Sequence, residues 1–208
     1  QFVRDGGQPR DRVNYEGGVP KVKPEYRKYY DTRLVGIIER DGQKFRRDEV
    51  YPVGQKDLFF LNRGPRGSDR QVLFEDASGA CGDLCARPGK GLSATWWDFN
   101  RDGLLDLYVG NDFEDPDHLY RNEGVGADGM PVFKDVIRES VPHTTWYSMG
   151  ADVGDLNGDG LLDLALVVPD DNDPVGAPGS ALVLLNGGAD GAGDWLGFTG
   201  GVTQVSVS

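Results

Sequence analysis

Between residues 105 and 109 apolar and polar side chains alternate: Leu105, Leu107 and Val109 fall on one side of an extended backbone, Asp106 and Tyr108 on the other. A period of two predicts a β-strand. Leu164 to Val168 form a continuous apolar run, which also reads as a strand. Each follows a copy of one polar pattern, WDFNRDGLLDLYV at residues 97–109 and GDLNGDGLLDLAL at residues 154–166. A further repeat brackets these segments. FFLNRG, ending at Gly64, matches HLYRNEG ending at Gly124 and LVLLNGG ending at Gly188, with shared asparagines Asn62, Asn122 and Asn186. Phe74 and Phe133 follow the first two, and Phe198 follows the third. With 31 Gly and 12 Pro among 208 residues, the chain suits a turn-rich all-β protein rather than a helical one.

The polar pattern is Asp-x-Asn-x-Asp-Gly-x-x-Asp. It comprises Asp98, Asn100, Asp102, Gly103 and Asp106 in the first copy, and Asp155, Asn157, Asp159, Gly160 and Asp163 in the second. Hard cations such as calcium take six to eight oxygen ligands, so a loop must gather several oxygens within few residues. Alternate positions of a tight turn do this, and Leu104 and Leu161 are placed to offer a backbone carbonyl. An EF-hand has similar first positions but needs a bidentate Glu at position twelve, on a helix. Here those positions are Val109 and Leu166, and strand-like sequence follows. The expectation is a calcium loop joining two β-strands, twice. The alternative is a metal-free Asp/Asn/Gly hairpin turn, in which three regularly spaced carboxylates would repel one another.

With the surrounding LYVGND, HLYRNEG, VFKDV and YSMGADVGDLNGDG, the two loops resemble the FG-GAP/VCBS repeats of integrin α-subunit propellers, and more closely those of bacterial relatives of cartilage acidic protein. The resemblance spans about residues 58 to 190. It implies four-stranded propeller blades, each with a calcium loop in a hairpin, and it carries the ligand set onto Asp98, Asn100, Asp102, Leu104 and Asp106 and onto Asp155, Asn157, Asp159, Leu161 and Asp163. The repeat unit of roughly 60 residues is the size of one blade. The expected fold is therefore all-β, a partial propeller of about two to three blades over residues 56–208, behind an N-terminal extension over residues 1–55. Propellers close with four to eight blades, so the segment is expected to be a fragment of a longer protein or to have its sheet edges covered by something else.

Charge separates the two regions. Residues 1–55 hold 12 Lys/Arg against 9 Asp/Glu, whereas the remainder is strongly acidic within a net charge of −12. That acidic surface argues against nucleic acid as a partner. The basic, tyrosine-rich KVKPEYRKYY reads either as a docking arm or as a solvated leader with a strand near RLVGIIER. No apolar run approaches the length of a membrane span. The opening QFVRDGGQPRDR does not read as a signal peptide. A mature exported protein, extracellular, on the cell surface or periplasmic, is expected, since cytosolic calcium is too low to fill loops of this type. In such a compartment Cys81 and Cys85 close a small disulfide loop; in a reducing one they are free thiols. Only two His are present, which disfavours zinc.

Catalytic chemistry is thinly represented. No metalloprotease, nucleophile-elbow or phosphate-loop motif occurs, and nothing in the spacing selects Ser148 and His143 as a pair. The clusters Asp112, Glu114, Asp115, Asp117 and Asp170, Asp171, Asp173 read as solvated acidic turns. Trp96, Trp97, Trp146 and Tyr147 read as packing between blades rather than as a sugar platform. The expected function is a noncatalytic calcium-binding scaffold or adhesion-type subunit, with two Ca²⁺ sites and other protein subunits as partners. The alternatives are part of an exported carbohydrate-binding or carbohydrate-cleaving enzyme and an accessory subunit docked on a membrane complex.

Overall fold

The computed structural model describes residues 13–16, 19–68, 70–112, 115–142, 144, 148–168, 180–200 and 205–206. The chain divides into two units, Gln1–Gly54 and Gln55–Ser208. The first is made of two antiparallel hairpins. β1 (Val13–Glu16) pairs with β2 (Val19–Val22), with Val13 and Val22 opposite each other and buried. A 3₁₀ turn at Pro24–Tyr26 leads into β3 (Tyr30–Arg40), which pairs along its length with β4 (Gln43–Pro52). Asp41 and Gly42 connect them with φ of 52° and 74°. Two consecutive positive φ values match the right-handed twist of the strands, which is why Asp-Gly makes so tight a hairpin. The sequence suggested one strand near RLVGIIER; its partner went unread because QKFRRDEVYP carries five charges and no clean alternation. Its charges pair along the strand instead, Arg46 with Asp48 and Arg47 with Glu49, two residues apart and so on one face.

In the second unit a short ladder joins β5 (Gln55–Lys56) to β8 (Pro88–Gly89), and between them lies a hairpin of β6 (Phe60–Arg66) and β7 (Gln71–Asp76). Two four-stranded meanders follow. Blade A consists of β9 (Gly91–Trp97), β10 (Asp106–Asn111), β11 (His118–Val125) and β12 (Pro131–Asp135), each strand paired with the next. A four-residue helix, α1 (Ile137–Ser140), leads on. Blade B consists of β13 (Gly150–Gly154), β14 (Asp163–Val168), β15 (Ser180–Asn186) and β16 (Phe198–Gly200), with β17 (Val205–Ser206) also pairing with β15. Phe198 thus lies in the outer strand of the second blade. The unit is all-β in repeated antiparallel blades, as the alternation and the repeat spacing suggested.

The core lies between blades. Trp97, Phe99, Tyr108 and Leu119 of blade A form one buried cluster with Leu164, Leu166, Leu182, Leu184 and Phe198 of blade B. Leu164 and Leu166 share one face of β14 and enter this core, while Val167 on the other face is exposed. Thr95 reinforces the interface, its hydroxyl donating to the Ala151 carbonyl at 2.8 Å.

On the opposite face of blade A a second cluster gathers Leu107, Val109, Tyr120 and Phe133 around Cys81, Leu84 and Cys85. Cys81 and Cys85 are joined by a disulfide, and both are buried. The loop they close is held to blade A by the Gly82 bridge to Phe133 and by the Asp135 N–H, which donates to the Asp83 carboxylate at 3.0 Å. Gly82 has φ of 66°, and a Cβ there would stand 2.3 Å from the Phe133 carbonyl oxygen, so no other residue fits. A loop this short restricts the unfolded chain only modestly. Chain-entropy reasoning predicts that reduction costs about 2 kcal/mol, checked by urea midpoints of the repeat unit with and without a phosphine reductant.

Candidate metal centre

The nine-residue loops lie between β9 and β10 and between β13 and β14, and they share their hydrogen bonds. At position one, Asp98 accepts the N–H groups of Asp102 (3.1 Å) and Gly103 (2.8 Å), and Asp155 accepts those of Asp159 and Gly160 (both 3.0 Å). At position three, Asn100 and Asn157 each donate from Nδ2 to the position-five carboxylate, Asp102 or Asp159, at 2.8 Å. That carboxylate accepts the N–H of Leu104 or Leu161, again at 2.8 Å. Positions four and six take positive φ in both copies: Arg101 (63°) and Gly103 (89°), Gly158 (80°) and Gly160 (84°). The backbone therefore curls in the same way in both copies.

Position nine anchors each loop to its sheet. Asp106 accepts the Phe99 N–H (3.1 Å) and the Asn122 N–H (2.8 Å). Asp163 accepts the Leu156 N–H (2.9 Å) and the Asn186 N–H (2.8 Å). Both carboxylates are fully buried. Burial pushes the Asp106 carboxyl up to about 7 and the charges of Asp102 and Asp98 add to the rise, against the hydrogen bonds from Asn122 and Phe99 that favour the ionised form. Among the described residues no Lys, Arg or His ion pair reaches any of the six loop carboxylates. Nor do three or more His, Cys, Asp or Glu side chains there converge as a formed metal cage, since the carboxylates are turned onto the loops' own N–H groups. The candidate donors, three carboxylates, an amide oxygen and a backbone carbonyl per loop, are all oxygens. That donor chemistry fits a hard divalent cation rather than one preferring sulfur or imidazole.

The repeated asparagines have a role that sequence reasoning missed. Asn122 clamps the first loop, its N–H on Asp106 and its Nδ2 on the Leu105 carbonyl at 3.1 Å, while its Oδ1 accepts the Gly124 N–H at 2.9 Å. Asn186 does the same for the second, with Nδ2 on the Leu162 carbonyl at 3.2 Å and Oδ1 accepting from Gly188 at 3.0 Å. It also reaches across the blade interface to the Phe99 carbonyl (3.0 Å) and accepts the Trp195 indole N–H (2.9 Å). The signal was present in the sequence as Asn followed two residues later by Gly, 16 residues after Asp106 in the first copy and 23 after Asp163 in the second.

Other candidates are placed differently from expectation. Trp97 is core, but Trp96 is 43 % exposed and lines a cavity of about 320 Å³ with Phe59, Leu92 and Asp57. Adjacent strand residues face opposite sides, so only one of the pair can enter the inter-blade core. Asp117 is not a solvated turn residue. It is fully buried and accepts the Tyr108 hydroxyl (2.6 Å), the Ser148 hydroxyl (2.5 Å) and the Asn111 N–H (2.8 Å), which ties the turn after β10 to the strand entering blade B. Burial, then the Asp117 charge, pushes the Tyr108 phenol up, keeping it a donor. His143, Trp146, Tyr147, Glu114, Asp170, Asp171 and Asp173 lie outside the described residues.

His118 stacks on Tyr120, and its Nδ1 lies 2.8 Å from the Asp135 carboxylate. Burial raises the Asp135 pKa, but the His118 and Ile137 hydrogen bonds outweigh it and hold the carboxyl below the ordinary carboxylate range. A depressed folded value stabilises the fold above the unfolded pKa of about 4, and this is lost as pH falls through the folded value. Urea midpoints measured from pH 6 to pH 3 should fall more steeply for the native chain than for Asp135→Asn.

A family model described as an FG-GAP-like repeat matches residues 98–166, from the first loop through the second. This stretch is an FG-GAP-like repeat. Neither curated proteins nor solved structures gave a match. The FG-GAP-like stretch holds both loops, β10 to β12 of blade A and most of the inner hairpin of blade B, and it supports a β-propeller-like interaction module. No helix among the described residues is long and apolar enough to cross a membrane.

Proposed function

We propose that each loop of the FG-GAP-like repeat holds a calcium ion, and that the chain is an exported, noncatalytic interaction module, a scaffold or adhesion-type subunit of a larger assembly. One observation carries the reading: two loops in different blades repeat the same bonds and each buries a position-nine carboxylate with no cationic side chain beside it. In the first loop, Asp98, Asn100, Asp102, the Leu104 carbonyl and Asp106 would hold the ion; in the second, Asp155, Asn157, Asp159, the Leu161 carbonyl and Asp163. The ion supplies charge neutralisation, which lets three carboxylates share one turn. Each loop joins the two inner strands of its blade and is clamped by the third, so ion binding and blade stability are linked. The side chains best equipped for chemistry serve the fold: the Ser148 hydroxyl donates to buried Asp117, and the His118 ring is set against Asp135. Export is favoured because millimolar calcium is extracellular.

Native mass spectrometry of material purified from its source, in millimolar calcium and then in excess EGTA, tests the whole reading. The expected spectrum shows two bound calcium ions per chain and co-purifying polypeptides. A lone monomer that binds no calcium overturns it.

A further inference from the structure

At the start of β9 two side-chain oxygens face one gap. Asn111 is buried, its Nδ2 donating to the Pro116 carbonyl at 2.7 Å and its N–H to the Asp117 carboxylate at 2.8 Å. The Pro116 bond fixes which way the amide points, because a carbonyl can be met only by the NH₂ end. Asn111 Oδ1 is thereby turned toward Gly89 and Gly91, where it is buried and has no hydrogen-bond partner among the described residues. A Cβ on Gly89 would stand 2.9 Å from this oxygen, whereas a Cβ on Gly91 would meet nothing nearer than Val109 Cγ1 at 3.5 Å. The next atoms around that second point are Asn111 Oδ1 and Asp57 Oδ1, each 3.9 Å away. The space over Gly91 therefore admits a non-hydrogen atom, and two acceptors face it.

Asp57 also lacks a counter-charge. Among the described residues no cationic side chain forms an ion pair with it. Burial raises its pKa, and the neighbouring His118 opposes the rise only in part. A carboxylate drawn from water without a cation is costly, so a cationic ligand placed beside it gains what the fold itself does not supply.

Asp57, Gly91 and Val109 also line the cavity of about 320 Å³, whose apolar wall includes Leu58, Phe59 and Trp96. The Phe59 and Trp96 rings lie with centroids 6.4 Å apart, tilted at 41°. Each of these residues belongs to the second unit. A mostly apolar cavity with a few convergent polar groups has the character of a small-molecule site. Two oxygens are too few for calcium, which takes about six to eight. They suit an ammonium, which brings charge and N–H donors together, and aromatic faces attract the same cation.

We propose that this cavity binds a small organic amine, a primary ammonium on an apolar or aromatic stem. Its N–H groups donate to the Asp57 carboxylate and to Asn111 Oδ1 over Gly91, and its stem lies against Trp96 and Phe59. The site uses no residue of the two loops and does not rest on the calcium reading.

Isothermal titration of the full chain with phenethylammonium chloride tests this and should show one saturable site. Phenethyl alcohol keeps the stem without the charge, and 3-phenylpropionate sets a second carboxylate against Asp57. Both should bind at least about tenfold more weakly, the equivalent of about 1.4 kcal/mol. Asp57→Asn should weaken ammonium binding about tenfold. Gly91→Ala should weaken it as much by placing a methyl group in the gap, and because that Cβ meets only ordinary contacts, its unfolding midpoint should match that of the native chain. Scanning calorimetry of both variants checks that they are folded. No saturable binding, equal affinity for the ammonium and the alcohol, or an affinity indifferent to Gly91→Ala overturns the proposal.

Discussion

Transfer of the purified chain from millimolar calcium to excess EGTA is expected to lower the unfolding midpoint of the repeat unit by about 10 to 20 °C. A ligand that binds only the folded state at a hundredfold excess over its dissociation constant contributes about 2.7 kcal/mol, so two sites contribute about 5 kcal/mol. For a domain of this size each kcal/mol moves the midpoint by about 2 to 4 °C. The effect is large because Asp106 and Asp163 are fully buried beside other carboxylates, and calcium offsets charge that the loops otherwise hold against themselves. Asp106→Asn separates the two contributions. It removes the buried charge but leaves one acceptor oxygen where Asp106 offers Oδ2 to Phe99 and Oδ1 to Asn122, so the calcium-dependent shift should roughly halve and the metal-free midpoint should fall by the cost of one unmatched N–H. Differential scanning calorimetry reads both quantities. A midpoint indifferent to EGTA would rule out structural calcium.

The three equivalent asparagines should differ sharply in cost when replaced by alanine. Asn186→Ala removes four side-chain bonds and leaves the Phe99 and Leu162 carbonyls and the Trp195 indole N–H without partners at the interface between blades. Unsatisfied buried groups cost about 1 to 3 kcal/mol each before relaxation, so a total of about 3 to 4 kcal/mol is expected. Asn122→Ala loses two contacts, to Leu105 and Gly124, at a less buried site, and should cost about 1 to 2 kcal/mol. Asn62→Ala loses one exposed contact, to Gly64, and should cost under about 0.5 kcal/mol. Urea unfolding of the three variants in calcium gives the ranking. Equal costs would mean that the asparagines only shape their own turns and do not clamp the loops.

What can be read from the order of residues is what local spacing encodes. Period-two alternation at 105–109 announced a strand, and the Asp-x-Asn-x-Asp-Gly-x-x-Asp pattern announced two equal turns, because backbone curl and side-chain direction depend on near neighbours alone. The recurrence of Asn62, Asn122 and Asn186 ahead of Phe74, Phe133 and Phe198 marked the blades, and these residues prove to be cross-strand partners. Long-range placement was out of reach. Trp96 and Trp97 are identical in type and adjacent, and only the stacking of blade B against one face of blade A buries the second and exposes the first. Asp117 looked like a surface acid until the turn after β10 folded under the strand entering blade B and gave it three donors. The β4 strand is charged enough to pass for a solvated leader, and its pairing with β3 depends on a two-residue turn rather than on an apolar face. Sequence by itself therefore determined the strands, the turns and the repeat of this protein, since each follows from residues a few positions apart. Which acids are buried and which tryptophan is core were decided only by blades meeting, because burial is a property of two surfaces.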